Sequence, residues 1–442
     1  MFNLADYVAL TEVITNRNVA EEKHLTVKKA YQKTPKLQKL EDELREIPSD
    51  DPDWREKVMG LKKQIAEEKA NLVRYIIKYQ KHQLNANNIK TLGLFRSVIT
   101  NGKRILAFAA PKSVPHDVFD NETDEGDREY LEFCEGTMIN MYYDTYTKEW
   151  EIATRSNIGA RCRFFQESGS TFRTMFLEAL NKQNIEFNEF NTEYCYSFVL
   201  QHPENRIVVP FLEPKIILTN IYKCLEGSVE EVPLTEFNAL APMNKLTVPA
   251  ELTTGESFKT ISLNDIKNTL YSTETNVDYT LQGAIVYDRK KGLRYKIRNP
   301  RYEYVRHLKG NNPKLQYQYY CLRQGGKVSE YLQYFPEHAD KLREFRSQLH
   351  NWTFNLHRNY VACYVHKQKP LRDFPFEYRS HMYKLHELYR AQYRDIRGAI
   401  TRRVVVEYVN TLPPNHIMAS INYPLRHAEV RAKRESIVAQ TV

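Results

Sequence analysis

The amino-acid sequence predicts an α+β protein in which a strand-rich middle is flanked by helical segments. Near the N-terminus, apolar residues recur at three- and four-residue spacing, as in Leu37, Leu40 and Leu44, which is the period of one helix face. Near the C-terminus, Leu349 and Leu356 belong to a second stripe of this kind. Between these regions, short runs rich in valine, isoleucine, tyrosine and phenylalanine are typical of strands.

The length of 442 residues and the hydrophobic content of 42% suit two or three domains with sizeable cores. Two helices joined by a turn are predicted near the start, the second continuing from Val58 through Ile65 to Ile76. The predicted parts are a helical N-terminal module over residues 1–92, a strand-rich domain over 93–312 and a basic helical domain over 313–442.

Eight runs in the middle domain are predicted to form strands because they combine β-branched and aromatic residues. They are FRSVI (95–99), RILAFAA (104–110), MINMYYD (138–144), EWEIATR (149–155), YCYSFVL (194–200), RIVVPF (206–211), KIILTNIY (215–222) and GAIVYD (283–288).

The net charge of +9 is unevenly distributed. From Arg289 to Val442 there are 30 lysine and arginine residues against 12 aspartate and glutamate residues, so the rest of the chain is acidic. Phosphates are held by lysine and arginine, and bases stack on aromatic rings. The basic, tyrosine-rich C-terminal third therefore predicts a polyanionic partner such as RNA.

Several other classes of protein are disfavoured. No apolar run reaches the roughly 18 residues of a membrane span, and the N-terminus lacks the basic and apolar regions of a signal peptide. The six cysteines are scattered singly, so no zinc site is predicted. No H-E-x-x-H or G-x-S-x-G motif occurs. We expect a cytoplasmic protein without a membrane partner.

A series of ordered segments carries a more specific signal. These segments are Phe95–Ile99, Phe133–Asn140, Trp150–Ser156, Tyr194–Pro210, Leu281–Tyr287 and Arg294–Arg298. Together they resemble the covalent nucleotidyltransferase superfamily, and within it the phage-type RNA ligases, in a diverged form such as those of large DNA viruses. The resemblance covers about half of the chain. It implies a domain of antiparallel sheets around a nucleotide cleft over residues 93–312.

The resemblance also implies a reaction, but three positions depart from it. In the ligases a lysine attacks ATP, carries AMP and passes it to an RNA 5′-phosphate. That lysine position is Phe133 here, and two glutamate positions that serve the nucleotide or the divalent metal are Val199 and Gln282. Because phenylalanine has no amine and neither Val199 nor Gln282 carries a charge, we predict no catalytic residue and no metal ligand.

The cations that contact phosphates in this family are retained. Arg96, Arg155, Lys296 and Arg298 stand at the corresponding places. Lys296 and Arg298 are two residues apart on a predicted strand, so both point to one face. Gln282 keeps the shape and the hydrogen-bonding capacity of the glutamate it replaces. These residues are therefore predicted to bind nucleotide phosphates.

Further site residues are assigned through the same resemblance. Glu135 is expected to touch a ribose, and Gly136 to allow a tight turn. Asn205 and Arg206, in the run Pro-Glu-Asn-Arg-Ile-Val, are expected to cap a turn and support the cleft.

The preferred hypothesis is a catalytically degenerate, RNA ligase-like protein that binds nucleotide or RNA phosphates in a basic cleft, with its cofactor unknown. One alternative is an active RNA ligase, with ATP and magnesium as cofactors, in which Lys103, Lys112 or Lys148 replaces the nucleophile. Another is a structural or virion assembly protein. The helical ends also suggest a protein partner, and the resemblance suggests a virus-encoded protein of the host cytoplasm or the virion.

Overall fold

The computed structural model describes residues 1–31, 34–48, 52–163, 169–233, 242–252, 262–272, 277–428 and 430. The chain divides into two compact units, Met1–Arg306 and His307–Val442. The first unit combines helices with three antiparallel sheets, and the second is helical. The predicted α+β class is confirmed.

The strands, in chain order, are β1 (Phe2–Asn3), β2 (Leu25–Tyr31), β3 (Val73–Tyr79), β4 (Val98–Thr100), β5 (Ile105–Phe108), β6 (Arg128–Glu132), β7 (Thr137–Asp144), β8 (Glu149–Thr154), β9 (Asn157–Ile158), β10 (Tyr194–Gln201), β11 (Lys215–Cys224), β12 (Ser228–Val232), β13 (Gly283–Asp288) and β14 (Leu293–Arg298). Within the described residues, the seven-stranded sheet has the order β1-β12-β11-β10-β7-β8-β9, the four-stranded sheet β2-β3-β4-β5 and the three-stranded sheet β14-β13-β6.

The helices, in chain order, are α1 (Leu10–Thr15), α2 (Arg17–Glu22), α3 (Pro35–Glu46), α4 (Trp54–Leu72), α5 (His116–Glu122), α6 (Phe172–Lys182), α7 (Leu263–Tyr271), α8 (Pro300–Lys309), α9 (Leu315–Gln324), α10 (Val328–Tyr334), α11 (Ala339–Tyr360), α12 (Phe376–Leu388), α13 (Arg402–Thr411) and α14 (Pro414–Ile421). None of the helices in the described parts of the chain has the length and apolarity that crossing a bilayer requires.

The described part of the first 92 residues contains the predicted pair of helices and three strands that were not predicted, β1, β2 and β3. Helices α3 and α4 pack through Leu37, Ile65 and Leu72, as their apolar spacing indicated. Ile76 was predicted to extend the second helix, but it lies in β3, which pairs with β2 along its whole length. Because β3 also pairs with β4, one sheet contains residues from both sides of the predicted boundary at 92.

Seven of the eight predicted strand runs overlap observed strands. The prediction of a strand over RIVVPF (206–211) is wrong. The backbone N–H groups of Val208 and Val209 donate to the carboxylate of Glu135, so they are not available for a strand ladder. A tertiary contact has overridden the local β-propensity of these valines.

The second unit buries the apolar stripe that its sequence predicted. In α11, Leu342, Leu349 and Leu356 are buried together with Trp352. Ile396, which was assigned to the next stripe, lies beyond the end of α12 and is 74% exposed.

A buried ion pair connects the four-stranded and seven-stranded sheets. Arg74 on β3 donates through Nε and Nη2 to the two carboxylate oxygens of Asp144 at the end of β7, at 2.6 and 2.7 Å. Both side chains are less than a tenth exposed. Such a bidentate pair fixes geometry as well as charge, so it holds the two sheets in one arrangement.

Replacing Arg74 with methionine should therefore lower the free energy of unfolding by about 3–5 kcal/mol, because Asp144 would keep a buried charge without its partner. Urea unfolding followed by circular dichroism measures this change. The control is Arg17→Met, which removes an exposed pair with Glu21 and should change stability by no more than about 0.5 kcal/mol. Similar losses for the two variants would contradict the role given to Arg74.

Candidate functional site

A cavity of about 210 Å³ lies in the first unit, with walls formed by the seven-stranded and three-stranded sheets. The lining residues among those described are Arg96, Ala110, Leu131, Glu132, Phe133, Cys134, Gly136, Met138, Ser197, Val199, Thr219, Asn220, Pro249, Gln282, Ile285, Tyr287, Arg294 and Lys296.

Residues from five of the segments singled out in the sequence meet at this cavity. The residues given a role from the resemblance that line it are Arg96, Phe133, Gly136, Val199, Gln282 and Lys296. They are up to 200 residues apart in the sequence, and the pairing of β7 with β10 and of β13 with β6 and β14 brings most of them together. The three substituted positions and two of the retained cations therefore share one site.

Residues Phe133–Gly136, called here the crossing segment, carry the chain from β6 in the three-stranded sheet to β7 in the seven-stranded sheet. The buried carboxylate of Glu135 accepts hydrogen bonds from the N–H groups of Val208 and Val209, at 3.0–3.3 Å. Glu135 was expected to touch a ribose, but it is not among the residues that line the cavity. Its side chain instead fixes the crossing segment to the loop after β10.

Gly136 lets the crossing segment lie directly against β10. Its φ is +151°, and a Cβ atom at this position would lie 2.5 Å from the carbonyl oxygen of Leu200 and 2.6 Å from Cγ1 of Val199. Any larger residue would push the crossing segment away from β10. The predicted need for glycine is thus explained by close packing as well as by backbone conformation.

Phe133, which the sequence predicts at the nucleophile position of the ligases, lies against a lysine. The Nζ of Lys296 is 4.0 Å from the centroid of the Phe133 ring, a distance typical of a cation–π contact. The guanidinium of Arg298 lies 5.9 Å from the same ring, in agreement with the prediction that both cations face one side of their strand. Arg298 is exposed and forms an ion pair with Glu303 at 2.8 Å, and it does not line the cavity.

Five cations form a cluster at the cavity, called here the cation cluster. Its members are Arg96, Lys112, Arg294, Lys296 and Arg298, and each of the others lowers the pKa of Lys296 electrostatically. Burial is the larger cause of the low pKa of Lys296, followed by Arg294 and Arg96. Burial, followed by Arg294, likewise lowers the pKa of Arg96 to about 10 and lowers the pKa of Lys112.

Within the described residues, the cations that line the cavity have no carboxylate partner. Arg96 and Arg294 both donate to the carbonyl oxygen of Ala110, at 3.3 and 3.1 Å, and Arg294 also approaches the Tyr287 hydroxyl. The buried Nε of Arg294 has no hydrogen-bond partner there. Glu132 is the one carboxylate in the described lining, so the cavity carries an excess of positive charge.

Arg294 was not predicted to be a site residue, although it lies in the same short segment as Lys296 and Arg298. Residues 294, 296 and 298 alternate along β14, and side chains two apart on a strand share a face. The two-residue period that relates Arg298 to Lys296 therefore also places Arg294 on this face.

The other predicted site residues lie around the cavity and position its walls. The Nε of Arg155 donates to the carbonyl oxygen of Arg96 at 3.2 Å, and its guanidinium lies over the Tyr79 ring. Asn205 donates from Nδ2 to the hydroxyl of Thr137 at 2.8 Å. Arg206 donates from Nε to the carbonyl oxygen of Val208 at 2.9 Å. These contacts tie the side chains of Arg155, Asn205 and Arg206 to neighbouring segments, and the roles expected for the three residues stay predictions.

The three lysines considered as displaced nucleophiles differ in location. Lys103 and Lys148 are exposed residues of the turns before β5 and β8. Lys112 does not line the cavity, but it belongs to the cation cluster. Lys296, which was assigned only to phosphate binding, is the lysine whose Nζ lies nearest to the Phe133 ring among the cation–π contacts of the described residues.

The residues present do not form the metal site that the family resemblance implies. Val199 supplies no oxygen, and Gln282 supplies an uncharged one. The Oε1 atom of Gln282 is buried and has no hydrogen-bond partner among the described residues. Magnesium prefers anionic oxygen ligands at fixed octahedral positions, and these two side chains do not offer them.

The fold and the site define an α+β protein with antiparallel sheets around a cavity rich in cations, in which the residues of the ligase-like segments meet. Comparison with known proteins agrees with the resemblance seen in the sequence. An RNA ligase of Rhodothermus phage RM378 is 28% identical over 151 residues, which are 31% of this chain and 34% of that protein. The chain is thus similar to a phage RNA ligase, and the match spans about a third of the relative's length. No family model matches the chain.

Solved RNA ligases overlap the fold only partially. An archaeal ATP-dependent RNA ligase is 13% identical, with a TM-score of 0.34 over 62% of this chain and 70% of that chain. An RNA ligase of Naegleria gruberi with PPi is 12% identical, with a TM-score of 0.29 over 45% of this chain and 64% of that chain.

Replacing Gly136 with alanine should lower the free energy of unfolding by about 2–4 kcal/mol, because the new methyl group would collide with the Leu200 backbone in a strained conformation. Thermal and urea unfolding measure this loss. The matched control is Gly126→Ala, where a Cβ atom meets nothing within 4 Å and the change should stay within about 0.5 kcal/mol. Equal stability of the two variants would show that the crossing segment does not need glycine.

Proposed function

We propose that this protein is an RNA ligase-like protein that binds the phosphates of a nucleotide or an RNA end in its cavity, without carrying AMP at position 133. The observation that carries the proposal is the meeting of Arg96, Arg294 and Lys296 in one cavity beside Phe133. Cations that lack carboxylate partners favour an anionic ligand, and phosphates are the anions that arginine and lysine bind most often at such sites.

The residues at the cavity also argue against the ligase reaction at its usual position. A covalent intermediate with AMP requires an amine whose lone pair attacks the α-phosphorus. Phe133 offers an aromatic ring, and Val199 and Gln282 remove the carboxylates that serve the nucleotide or the metal in the enzymes it resembles. Binding and transfer are thus separable here, because the phosphate-binding cations do not depend on the lost groups.

A second candidate function, nucleotidyl transfer by a displaced lysine, is favoured by one observation. Lys296 places its Nζ over Phe133, and its lowered pKa increases the neutral fraction that acts as a nucleophile. In this reaction the Nζ–phosphorus bond forms as pyrophosphate leaves, and ATP and magnesium would be required. The missing carboxylates make this candidate the weaker one.

The third candidate, a structural or virion assembly protein, uses the fold without a ligand. It rests on the resemblance to proteins of large DNA viruses and would place the protein in host cytoplasm or in the virion, with protein partners at the helical ends. The cation cluster favours phosphate binding over this candidate, because like charges held together without a ligand are destabilising.

The proposal predicts that the purified protein, incubated with labelled ATP or GTP and magnesium, acquires no covalent label. The triple variant Phe133→Lys/Val199→Glu/Gln282→Glu returns an amine and two carboxylates to the same cavity, and we expect it to gain a label. Denaturing gel electrophoresis with autoradiography measures both results.

Labelling of the unchanged protein would contradict the proposal. In that case Lys296→Met separates the candidates, because loss of the label in this variant would assign the transfer to Lys296. Retention of the label would direct attention to Lys112.

The proposal also predicts that a short RNA with a 5′-phosphate loses about tenfold in affinity when Lys296 becomes methionine, since one buried charge–phosphate contact contributes of the order of 1.4 kcal/mol or more. Fluorescence anisotropy at several salt concentrations measures the affinity and its salt slope. The matched control is Lys63→Met on α4, an exposed lysine that should leave the affinity unchanged. Equal affinities of the two variants would support the structural candidate.

A further inference from the structure

We infer that the ligand of this cavity is a phosphate chain that binds without a divalent metal, its charge being neutralised by the cation cluster in place of magnesium. The inference rests on the proposed function and narrows its ligand to a di- or triphosphate group. The ligand can be a free nucleotide or the 5′ end of an RNA, because the chemistry that recognises the phosphates is the same in both.

The first argument is the charge of the cavity. Three lining cations face one described lining carboxylate, Glu132, and Lys112 adds positive charge close by, whereas the charge of Arg298 is paired with Glu303. Holding like charges together in a partly buried site is unfavourable unless an anion compensates them. A di- or triphosphate chain supplies several negative charges along one line, so it compensates the cations more fully than a single phosphate group does.

The second argument is that a magnesium complex would bring the wrong charge. Magnesium bound to a phosphate chain neutralises two of its negative charges. Those negative charges are the ones that would compensate the positive charge of the cation cluster. The magnesium ion would also be repelled by the cations of the cavity, because neither Val199 nor Gln282 supplies a carboxylate that would attract it. Metal and cation cluster therefore compete for the same phosphate oxygens.

The hydrogen bonding of Arg294 also favours a phosphate ligand. The buried Nε of Arg294 has no hydrogen-bond partner among the described residues, although this side chain donates to two neighbours through its other nitrogens. An unpaired buried donor on a charged group is costly. A phosphate oxygen would satisfy it directly, which a hydrated magnesium ion cannot do.

The pKa of Lys296 agrees with these arguments. Burial, followed by the positive charge of its neighbours, lowers it. Binding of a polyanion would raise this pKa again and keep Lys296 charged. The lysine would then donate to a phosphate oxygen while its methylene groups remain against the Phe133 ring.

The test uses isothermal titration calorimetry of the full chain with inorganic tripolyphosphate, once with EDTA and once with excess magnesium. We expect binding with EDTA and a several-fold weaker apparent affinity with magnesium. Binding that requires magnesium would overturn this inference and leave the proposed function in place. No binding under either condition would overturn both.

The variant Gln282→Glu sharpens the test because it changes charge with almost no change in shape. One added negative charge in the cavity should weaken tripolyphosphate binding with EDTA by roughly tenfold or more, and magnesium should then strengthen binding. Glu226→Gln, at an exposed position between β11 and β12, is the control for an amide–carboxylate exchange and should bind as the unchanged protein does. An unaltered affinity of Gln282→Glu would contradict a ligand in this cavity. A melting temperature within a few degrees of the unchanged protein establishes that each variant is folded.

The two sources of the phosphate chain are separated by competition with EDTA present. ATP, an RNA with a 5′-triphosphate and the same RNA with a 5′-hydroxyl compete against bound tripolyphosphate. Stronger competition by the triphosphate RNA than by ATP identifies an RNA end, and the reverse identifies a free nucleotide. Equal competition by the triphosphate and hydroxyl RNAs would overturn the inference, since the phosphate chain would then not be recognised.

Discussion

The crossing segment Phe133–Gly136 is the constraint on which the candidate site depends. It carries the chain from one sheet to the other, and two of its four residues are held in place by specific contacts. The Glu135 carboxylate holds two backbone N–H groups of the loop after β10, and Gly136 lies against the Leu200 carbonyl. With these contacts in place, the side chain at position 133 lines the cavity. Its identity therefore decides what the cavity can do.

The electrostatics of the site follow from this arrangement. Sheet pairing places β14 beside β13, and β13 beside the start of the crossing segment, so the cations of β14 lie over Phe133. An aromatic ring is one of the few neutral surfaces that attracts an ammonium group. The ring thus stabilises Lys296 where a second lysine would have repelled it, and the substitution at 133 relieves part of the crowding within the cation cluster.

The sequence predicted the cavity more accurately than it predicted the hydrogen bonds around it. Arg96, Phe133 and Gln282 line the cavity next to strand ends, and Lys296 lines it from within β14; all four lie in short sequence motifs. The partners of Glu135 and Arg155 were not predictable, because they are backbone groups of loops distant in sequence. The prediction of a strand over RIVVPF is wrong for the same reason. Local β-propensity carries no information about a distant carboxylate that accepts hydrogen bonds from the N–H groups of this run. The strands β2 and β3 were missed because they adjoin strongly periodic helices.

Under the proposed function, one change in charge explains the residues at Phe133, Val199 and Gln282 together. In the ligases that this chain resembles, two glutamates balance the two positive charges of the metal, while a lysine supplies the nucleophile. Under the proposed function, the two negative charges absent at Val199 and Gln282 offset the two positive charges of the absent metal, whereas Phe133 leaves the site without the amine of a lysine. What is lost is the polarisation of the leaving group and the attacking amine, which are the requirements of transfer and not of binding. The proposed function therefore separates binding from the reaction, and the proposed binding depends on Arg96, Arg294 and Lys296, the three cations that line the cavity.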